Sequence, residues 1–267
     1  MHSNPIGRLA VELREMRWAH VVVELVLLVL GILIALAVND WMQDRRDAQT
    51  ERQYLELLAR DLDQDLEVLK EFAAYEERQT ADGVMAYRAL RDPAEVADKE
   101  AIAEALSRLM SRRTLRLVRA TYTDLLSTGN IRLIRNTGLR DRIVKLYEAN
   151  ERASTIIDRN NQAFVDQMYM GFMMSTGLIA PRSGSNLRII DAELNEFTAR
   201  IGLPVNASAD RLWGLPADAP ERKLLNNHVW QRAEVSFQAI ARARSLIADI
   251  RGVREAIGHE VASRSPQ

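Results

Sequence analysis

The chain has 267 residues, of which 47 % are hydrophobic and 27 % are charged, and its formal net charge is −1 at pH 7. This composition is typical of a chain with a packed core, and the balanced charge argues against a nucleic-acid partner. Because the chain contains no cysteine, a disulfide framework, a thiolate zinc site and a thiol nucleophile are excluded.

The first predicted element is a transmembrane helix at residues 18–41, which follows a short N-terminal tail of residues 1–17. A bilayer core about 30 Å thick requires about 20 apolar residues in a helix, and this segment contains fourteen Val, Leu and Ile residues. Each of them favours insertion by roughly 0.3–0.6 kcal/mol, and their sum outweighs a cost of about 2.5–3.5 kcal/mol for the buried acid Glu24. Trp18 and Trp41 flank the segment, as is typical of interfacial aromatic residues.

A secretory signal peptide is the alternative interpretation of this stretch. Leu25 to Ile34 is a ten-residue apolar run, and Ala35-Leu36-Ala37 matches a small-residue cleavage pattern. The leader before that run is long for a signal peptide, however, and it carries Glu12 and Glu15. Trp41 also continues the helix as an interfacial anchor. We therefore expect a retained membrane anchor.

One face of the anchor helix predicts a seam with another helix. At about 100° per residue, Gly31 and Ala35 each lie within about 20° of Glu24, with Leu28 between them and His20 one turn earlier. Gly31 and Ala35 form a small-x-x-x-small pair, which lets another backbone approach closely. An acid inside a membrane usually marks a partner or an ion path. The alternative is that Glu24 extends to the lipid headgroups without a partner.

The charges around the anchor hardly decide its orientation. Three arginines precede it and three follow it closely (Arg8, Arg14, Arg17; Arg45, Arg46, Arg52). A short basic tail before a first apolar span favours a cytoplasmic N-terminus. We therefore expect the domain after the anchor to lie outside the cytoplasm.

Residues 42–262 are predicted to form an all-α domain in which the anchor helix continues into an antiparallel helical bundle. Its first helix has leucine and phenylalanine side chains spaced by three and four residues, the pattern of one buried face: Leu55, Leu58, Leu62, Leu66, Leu69 and Phe72. The acids between them are expected on the solvated face: Asp61, Asp63, Asp65, Glu67 and Glu71.

Further along the chain, Asp92-Pro93 is expected to end the first helix, and residues 94–118 are predicted to form a second one. Gly129 is placed to stop a later helix, and Asn136 or Thr137 to cap the next. Residues 176–220 are predicted to be an irregular Pro-rich insertion. Residues 263–267 are expected to be a frayed tail.

The apolar segment and a later motif together resemble one family. The first part is Glu24-Leu25, Leu27 to Val29, Gly31-Ile-Leu-Ile-Ala-Leu36 and Val38-Asn39-x-Trp41, and the second is Ala120-Thr-Tyr-x-Asp-Leu-x-Ser-Thr-Gly-Asn130. They resemble the signature of an uncharacterised (domain of unknown function) family of bacterial single-pass membrane proteins. Met42 departs from the pattern, and no shared motif follows Tyr147. The resemblance implies a bacterial single-pass membrane protein, which with the expected orientation is an inner-membrane protein with a periplasmic domain. No activity is known for the family, so the resemblance implies no particular activity.

No motif predicts chemistry, and no catalytic, cofactor-binding or metal-binding residue is expected. Ser127 and Thr128 have no nearby histidine to activate them, and His228 has no second ligand at metal-binding spacing. We therefore expect a non-enzymatic, membrane-anchored interaction or scaffold protein, whose partners are lipid and either a second copy or another membrane protein. Two alternatives remain: a ligand-sensing bundle that signals through a partner membrane protein, and a subunit of an ion-powered complex that uses Glu24.

Overall fold

The computed structural model describes residues 5–179 and 208–263, together with Glu196, Arg200 and Gly202; the side chains of residues 5–21 and of Glu95 are excepted. Within these ranges the chain is all-α and contains no β-strand, which confirms the predicted fold class. The greater part of the predicted insertion at 176–220, and all but the first residue of the predicted tail at 263–267, lie outside the described residues.

The chain divides into two units, Met1–Tyr54 and Leu55–Gln267. Helix α1 (Pro5–Arg91) supplies residues to both. In the first unit, the side chains of residues 22–46 are exposed throughout. Among the described helices, α1 alone is long and apolar enough near the N-terminus to cross a membrane. The predicted boundary at residue 42 marks a change of composition inside this helix and stays a prediction.

In the second unit, α1 ends where the sequence predicts, because Pro93 follows and begins a short 3₁₀ helix, Pro93–Glu95. The remaining described helices are α2 (Lys99–Arg108), α3 (Ala120–Ser127), the 3₁₀ turn Asn130–Leu133, α4 (Thr137–Asn160), a π-helical run (Asn161–Met170), α5 (Gly171–Thr176), α6 (Asp210–Trp213) and α7 (Pro220–Ser263).

The turn between α3 and α4 has the signals predicted for it. Gly129 adopts a left-handed conformation with φ of 72°, which favours glycine because it has no Cβ. The Asn136 side chain accepts a hydrogen bond from the Leu139 amide at 3.0 Å and caps α4. The sequence therefore fixes both this helix stop and this helix start locally.

Side-chain partners show that α7 runs antiparallel to the later part of α1 and also to α4. Residue numbers that rise along α1 or α4 meet numbers that fall along α7. The pairs with α1 are Asp63–Arg254, Glu77–Arg244 and Gly83–Ala233, and the pairs with α4 are Asn136–Glu260 and Arg142–Gly252. The second unit is therefore built around three long helices.

Buried positions on α1 and α7 alternate by four and three residues, the spacing of helices packed side by side. Along α1 they are Leu58, Leu62, Asp65, Leu69, Phe72, Glu76, Gln79, Gly83, Ala86 and Leu90. Along α7 they are Leu225, Val229, Arg232, Ser236, Ala239, Ala243, Leu246, Ile250, Val253 and Ile257. Each stripe contains polar residues at positions where apolar residues usually pack.

The prediction of a second helix over residues 94–118 is wrong at both ends. Helix α2 begins only at Lys99 and ends at Arg108, and residues 111–119 are not helical. In a helix, Arg116 would lie three or four residues from Arg112, Arg113 and Arg119, and like charges at that spacing repel. Buried side chains elsewhere in the domain bind the backbone of this segment instead.

The close approach of Gly83 to Ala233 yields a stability prediction. A Cβ atom at position 83 would lie 2.7 Å from the Ala233 Cβ, which is too close for two carbon atoms. The Gly83→Ala variant gains up to about 1 kcal/mol of helix propensity, but overpacking costs about 1–3 kcal/mol. We expect a net loss of about 1 kcal/mol in the free energy of unfolding, measured by urea denaturation of the full chain in detergent.

The same substitution at Gly258 is the matched control, because the nearest atom to a Cβ there is the Arg254 guanidinium, at 3.6 Å, which can move aside. Gly258→Ala should be neutral or stabilising. Adding Ala233→Gly to Gly83→Ala should recover the packing cost. A Gly83→Ala protein that is more stable than the wild type would contradict the close approach.

Candidate functional site

Residues 109–119, which we call the α2–α3 segment, have no neighbouring strand, and buried side chains bind several of their backbone groups. The Val118 amide donates to Asp65 Oδ1 at 2.7 Å. Asn161 Nδ2 donates to the Arg113 carbonyl at 2.9 Å, at the point where α4 gives way to the π-helical run. Buried backbone groups need partners of this kind because a missing hydrogen bond is costly.

Arg232 on α7 makes the largest set of these contacts, and its side chain is fully buried. Its guanidinium donates to the carbonyls of Leu109 at 3.1 Å and Ser111 at 3.0 Å. It also donates to Gln79 Oε1 at 3.2 Å. One arginine thus joins α1, α7 and the start of the α2–α3 segment.

Glu76 balances the charge of Arg232. Its Oε2 lies 3.6 Å from Arg232 Nη1 and accepts from the Ser236 hydroxyl at 2.7 Å. The Ser236 hydroxyl also contacts Arg232. Burial raises the pKa of Glu76, although Arg232 and Ser236 both act to lower it. This group is a buried, hydrogen-bonded ion pair, the arrangement in which a charge tolerates a protein interior.

The arginines of the α2–α3 segment make contacts on its exposed side, with partners other than Asp65, Asn161 and Arg232. Arg112 contacts Asp166 at 2.6 Å, Arg116 contacts Asp158 at 3.0 Å, and Arg119 contacts Glu151. Arg113 lies over the Tyr75 ring, 4.9 Å from its centroid. The acidic partners belong to α4 and the π-helical run. The segment therefore contacts α4 and the π-helical run on its exposed side, and α1 and α7 on its buried side.

Asp65 corrects the prediction that the acids of α1 share a solvated face. Asp65 is fully buried, whereas Leu66, which was expected in the core, is only partly buried. Burial raises the pKa of Asp65 to about 6, although the Val118 amide acts to lower it. Its second oxygen, Oδ2, is buried without a hydrogen-bond partner. Asp63, Glu67 and Glu71 are exposed as expected, and Asp61 is partly buried.

Next to these acids, α3 and α4 contribute a stacked pair of tyrosines. The rings of Tyr122 and Tyr147 are parallel, with centroids 4.1 Å apart. The Tyr147 hydroxyl is buried without a partner, and burial together with the charges of Asp61 and Asp65 raises its pKa. One turn further along α4, Asn150 is 3 % exposed and also has no hydrogen-bond partner. Several buried polar groups without a hydrogen-bond partner therefore lie on α1 and α4, and others lie at Tyr75, Trp213, Arg222 and Asn226.

The residues predicted as an anchor seam all lie on α1. Glu24, Leu28, Gly31 and Ala35 are exposed, and nothing lies within 4 Å of a Cβ built at Gly31. The backbone of His20 is helical, but its side chain lies outside the described part of the structure. Helical geometry therefore places the five residues along one side of α1, and their role in pairing stays a prediction.

Sequence reasoning missed the buried polar residues of the domain, although a signal for some of them was present. Asp65, Glu76 and Gln79 continue the spacing that begins at Leu58 and Leu62. Arg232 and Ser236 do the same on α7. Following the alternation of four and three through polar positions would have found them.

The sequence model of a family of unknown function (DUF6090) matches residues 24–159, about half of the chain. The chain belongs to this family. The DUF6090 match begins at Glu24, and it includes Asp65, the α2–α3 segment and Asn150. It also extends beyond Tyr147, where the recognisable motifs stop. Searches of curated proteins and of solved structures found no match.

The raised pKa of Asp65 predicts how stability depends on pH in this DUF6090 protein. The folded state binds the Asp65 proton more tightly than the unfolded state does, because the pKa rises from 3.8 to about 6 on folding. Asp65 therefore lowers stability progressively as pH rises from about 4 to 6, and the cost is constant above that. The Asp65→Asn variant keeps an acceptor for the Val118 amide and removes this cost.

We expect Asp65→Asn to be close in stability to the wild type near pH 4 and to be more stable by about 2–3 kcal/mol at pH 7, since the pKa rises by about two units on folding and one unit corresponds to about 1.4 kcal/mol. Urea unfolding across this pH range measures the difference. Glu71→Gln, at an exposed acid on the same helix, is the control and should show no such gain. If the free energies of unfolding of Asp65→Asn and the wild type differed by the same amount at every pH, the prediction would be contradicted.

Proposed function

We propose that this protein is a non-enzymatic, single-pass interaction protein of the bacterial inner membrane. The N-terminus lies in the cytoplasm and the helical domain lies in the periplasm. Two anchor helices pair through the face formed by Glu24, Leu28, Gly31 and Ala35, with His20 at its end. The partner in this pairing is a second copy of the chain.

The observation that carries the proposal is the exposed apolar stretch of α1. The side chains of residues 22–38, which are apolar except for Glu24, are uncovered in the single chain, and large uncovered apolar surfaces mark a membrane or a protein interface. The stretch is long enough to span a bilayer core. Membership of a family whose matched region begins at Glu24 supports a role for this segment beyond that of a cleaved leader.

Charge and shape on one face of the anchor support pairing. An acid facing lipid is costly, and this cost falls when the acid meets a partner in a helix–helix interface. Gly31 presents no side chain and Ala35 a small one, so a second helix can approach the backbone closely at that level. The acid and the small residues on the same face therefore favour one contact surface.

The absence of cysteine from the chain permits a direct crosslinking test. A single cysteine introduced as Leu28→Cys lies in the proposed seam, and oxidation of carbonate-washed membranes should yield a disulfide-linked dimer on a non-reducing gel. Leu30→Cys is the matched control, because residue 30 lies about 200° around the helix from residue 28. We expect dimer yield at position 28 to exceed that at position 30 several-fold.

Second substitutions in the Leu28→Cys background test which residues form the seam. Glu24→Leu and Ala35→Leu should each reduce the dimer yield, whereas Ala37→Leu, on the far side from Ala35, should not. Equal yields of disulfide-linked dimer from the cysteines at positions 28 and 30 would contradict the proposed seam. Loss of the protein from the membrane during the carbonate wash would contradict the anchor itself.

A further inference from the structure

A cleft of about 510 Å³ lies between α1 and the chain that leads from the end of α2 into the α2–α3 segment. Its volume falls within the roughly 300–1,000 Å³ that is usual for small-molecule sites. Helix α1 contributes Arg78 and Gln79 to its walls, and the opposite side contributes Arg108, Ser111 and Arg113. The walls therefore contain three arginines and two neutral polar side chains.

The acids beside this cleft are already paired. Asp82, which also lines the cleft, accepts hydrogen bonds from Arg108 through both of its carboxylate oxygens, at 2.7 and 2.8 Å. Glu76, which lies on the same helix, is paired with Arg232. Because the charges cancel within each pair, neither acid neutralises the other two arginines of the cleft.

Those two arginines, Arg78 and Arg113, lie near one tyrosine ring. The Arg78 side chain is exposed, and it has no hydrogen bond or ion pair with any residue that the structure describes. The Arg113 guanidinium lies 4.9 Å from the centroid of the Tyr75 ring and has no acidic partner in the described part of the chain. Burial raises the pKa of Tyr75 to about 12, while the charges of both arginines act to lower it. Two cations close together without an acid attract an anion.

Gln79 and Ser111 supply neutral donors beside these cations, and each residue is 4 % exposed. The Nη2 atom of Arg232 donates to Gln79 Oε1 at 3.2 Å and to the Ser111 carbonyl at 3.0 Å, so the two residues lie close together. Because a guanidinium is donor-only, this contact also assigns the amide oxygen of Gln79. Gln79 Nε2 and Ser111 Oγ have no partner among the described residues, and neither is one of the fully buried atoms without a partner. Both atoms therefore keep solvent-accessible surface at the wall of the cleft.

We propose that this cleft binds the phosphate group of a small phosphate monoester. Arg78 and Arg113 donate to the phosphate oxygens, and Gln79 Nε2 and Ser111 Oγ donate from the buried wall. A phosphate monoester has three strong acceptor oxygens for these donors, whereas a carboxylate has two. The volume that remains accommodates the organic part of the ester. This inference goes beyond the proposed function, because binding in the cleft does not depend on whether anchor helices pair.

Calorimetric titration of the full chain in detergent and phosphate-free buffer tests the proposal, with glycerol 3-phosphate and inorganic phosphate as probes. Glycerol, which lacks the phosphate, and glycerate, which carries a carboxylate in its place, are the chemical controls. We expect saturable binding of glycerol 3-phosphate with a dissociation constant below about 1 mM, and weaker binding of inorganic phosphate. Glycerol should give no binding heat. Glycerate should bind at least about 10-fold more weakly than glycerol 3-phosphate, because a hydrogen bond to a charged group is lost.

Substitutions on both walls locate the binding. Arg78→Gln should weaken the binding of glycerol 3-phosphate at least about 10-fold, and Arg78→Lys should weaken it less, because lysine keeps the charge but not the planar fork of donors. Ser111→Ala should weaken it several-fold from the opposite wall. Arg88→Gln is the matched control, since Arg88 is exposed on the same helix but does not line this cleft, and it should leave binding unchanged. Circular dichroism spectra identical to wild type show that the variants fold.

Three results would overturn the proposal: no saturable heat with glycerol 3-phosphate, equal binding of glycerate, or unchanged binding in Arg78→Gln. Tighter binding of inorganic phosphate than of glycerol 3-phosphate would contradict an ester as the ligand. None of these results affects the yield of the Leu28→Cys dimer, so the two proposals fail separately.

Discussion

The helical domain depends on one requirement, that the backbone of a non-helical segment inside a helical bundle must find hydrogen-bond partners. The α2–α3 segment has neither helical nor strand partners for several amides and carbonyls. Asp65, Asn161 and Arg232 supply them from α1, the π-helical run and α7. These contacts join α1, α7 and the π-helical run that follows α4 to one segment. They therefore specify how these helices are aligned.

The same requirement explains the charges inside the domain. Arg232 serves two carbonyl groups, and its positive charge then requires the buried carboxylate of Glu76. Buried ion pairs contribute little net stability compared with apolar packing, but removal of one partner is costly. Some of the buried polar groups, among them Asp65 Oδ2, the Tyr147 hydroxyl and both amide atoms of Asn150, have no hydrogen-bond partner in the described part of the structure.

The sequence predicts the parts of this fold that depend on local signals. The apolar length of α1, its end before Pro93, the Gly129 stop and the Asn136 cap are all present as predicted. The α2–α3 segment and its buried partners were not predicted, because the groups that meet there are 48 to 123 residues apart in the chain. Leu66 was expected in the core and Asp65 at the surface, but Asp65 is buried and Leu66 is only partly buried. The spacing of apolar residues alone cannot distinguish a buried carboxylate from a solvated one.

Hydrogen exchange of the Val118 amide, measured by mass spectrometry with fragment-level resolution, tests the central claim most directly. Our account predicts that this amide, although it belongs to no helix, exchanges as slowly as amides in the middle of α4, because it donates to a fully buried carboxylate. In an Asp65→Ala variant it should exchange much faster while α4 stays protected. Exchange of Val118 at the rate of an exposed loop in the wild-type protein would contradict the account.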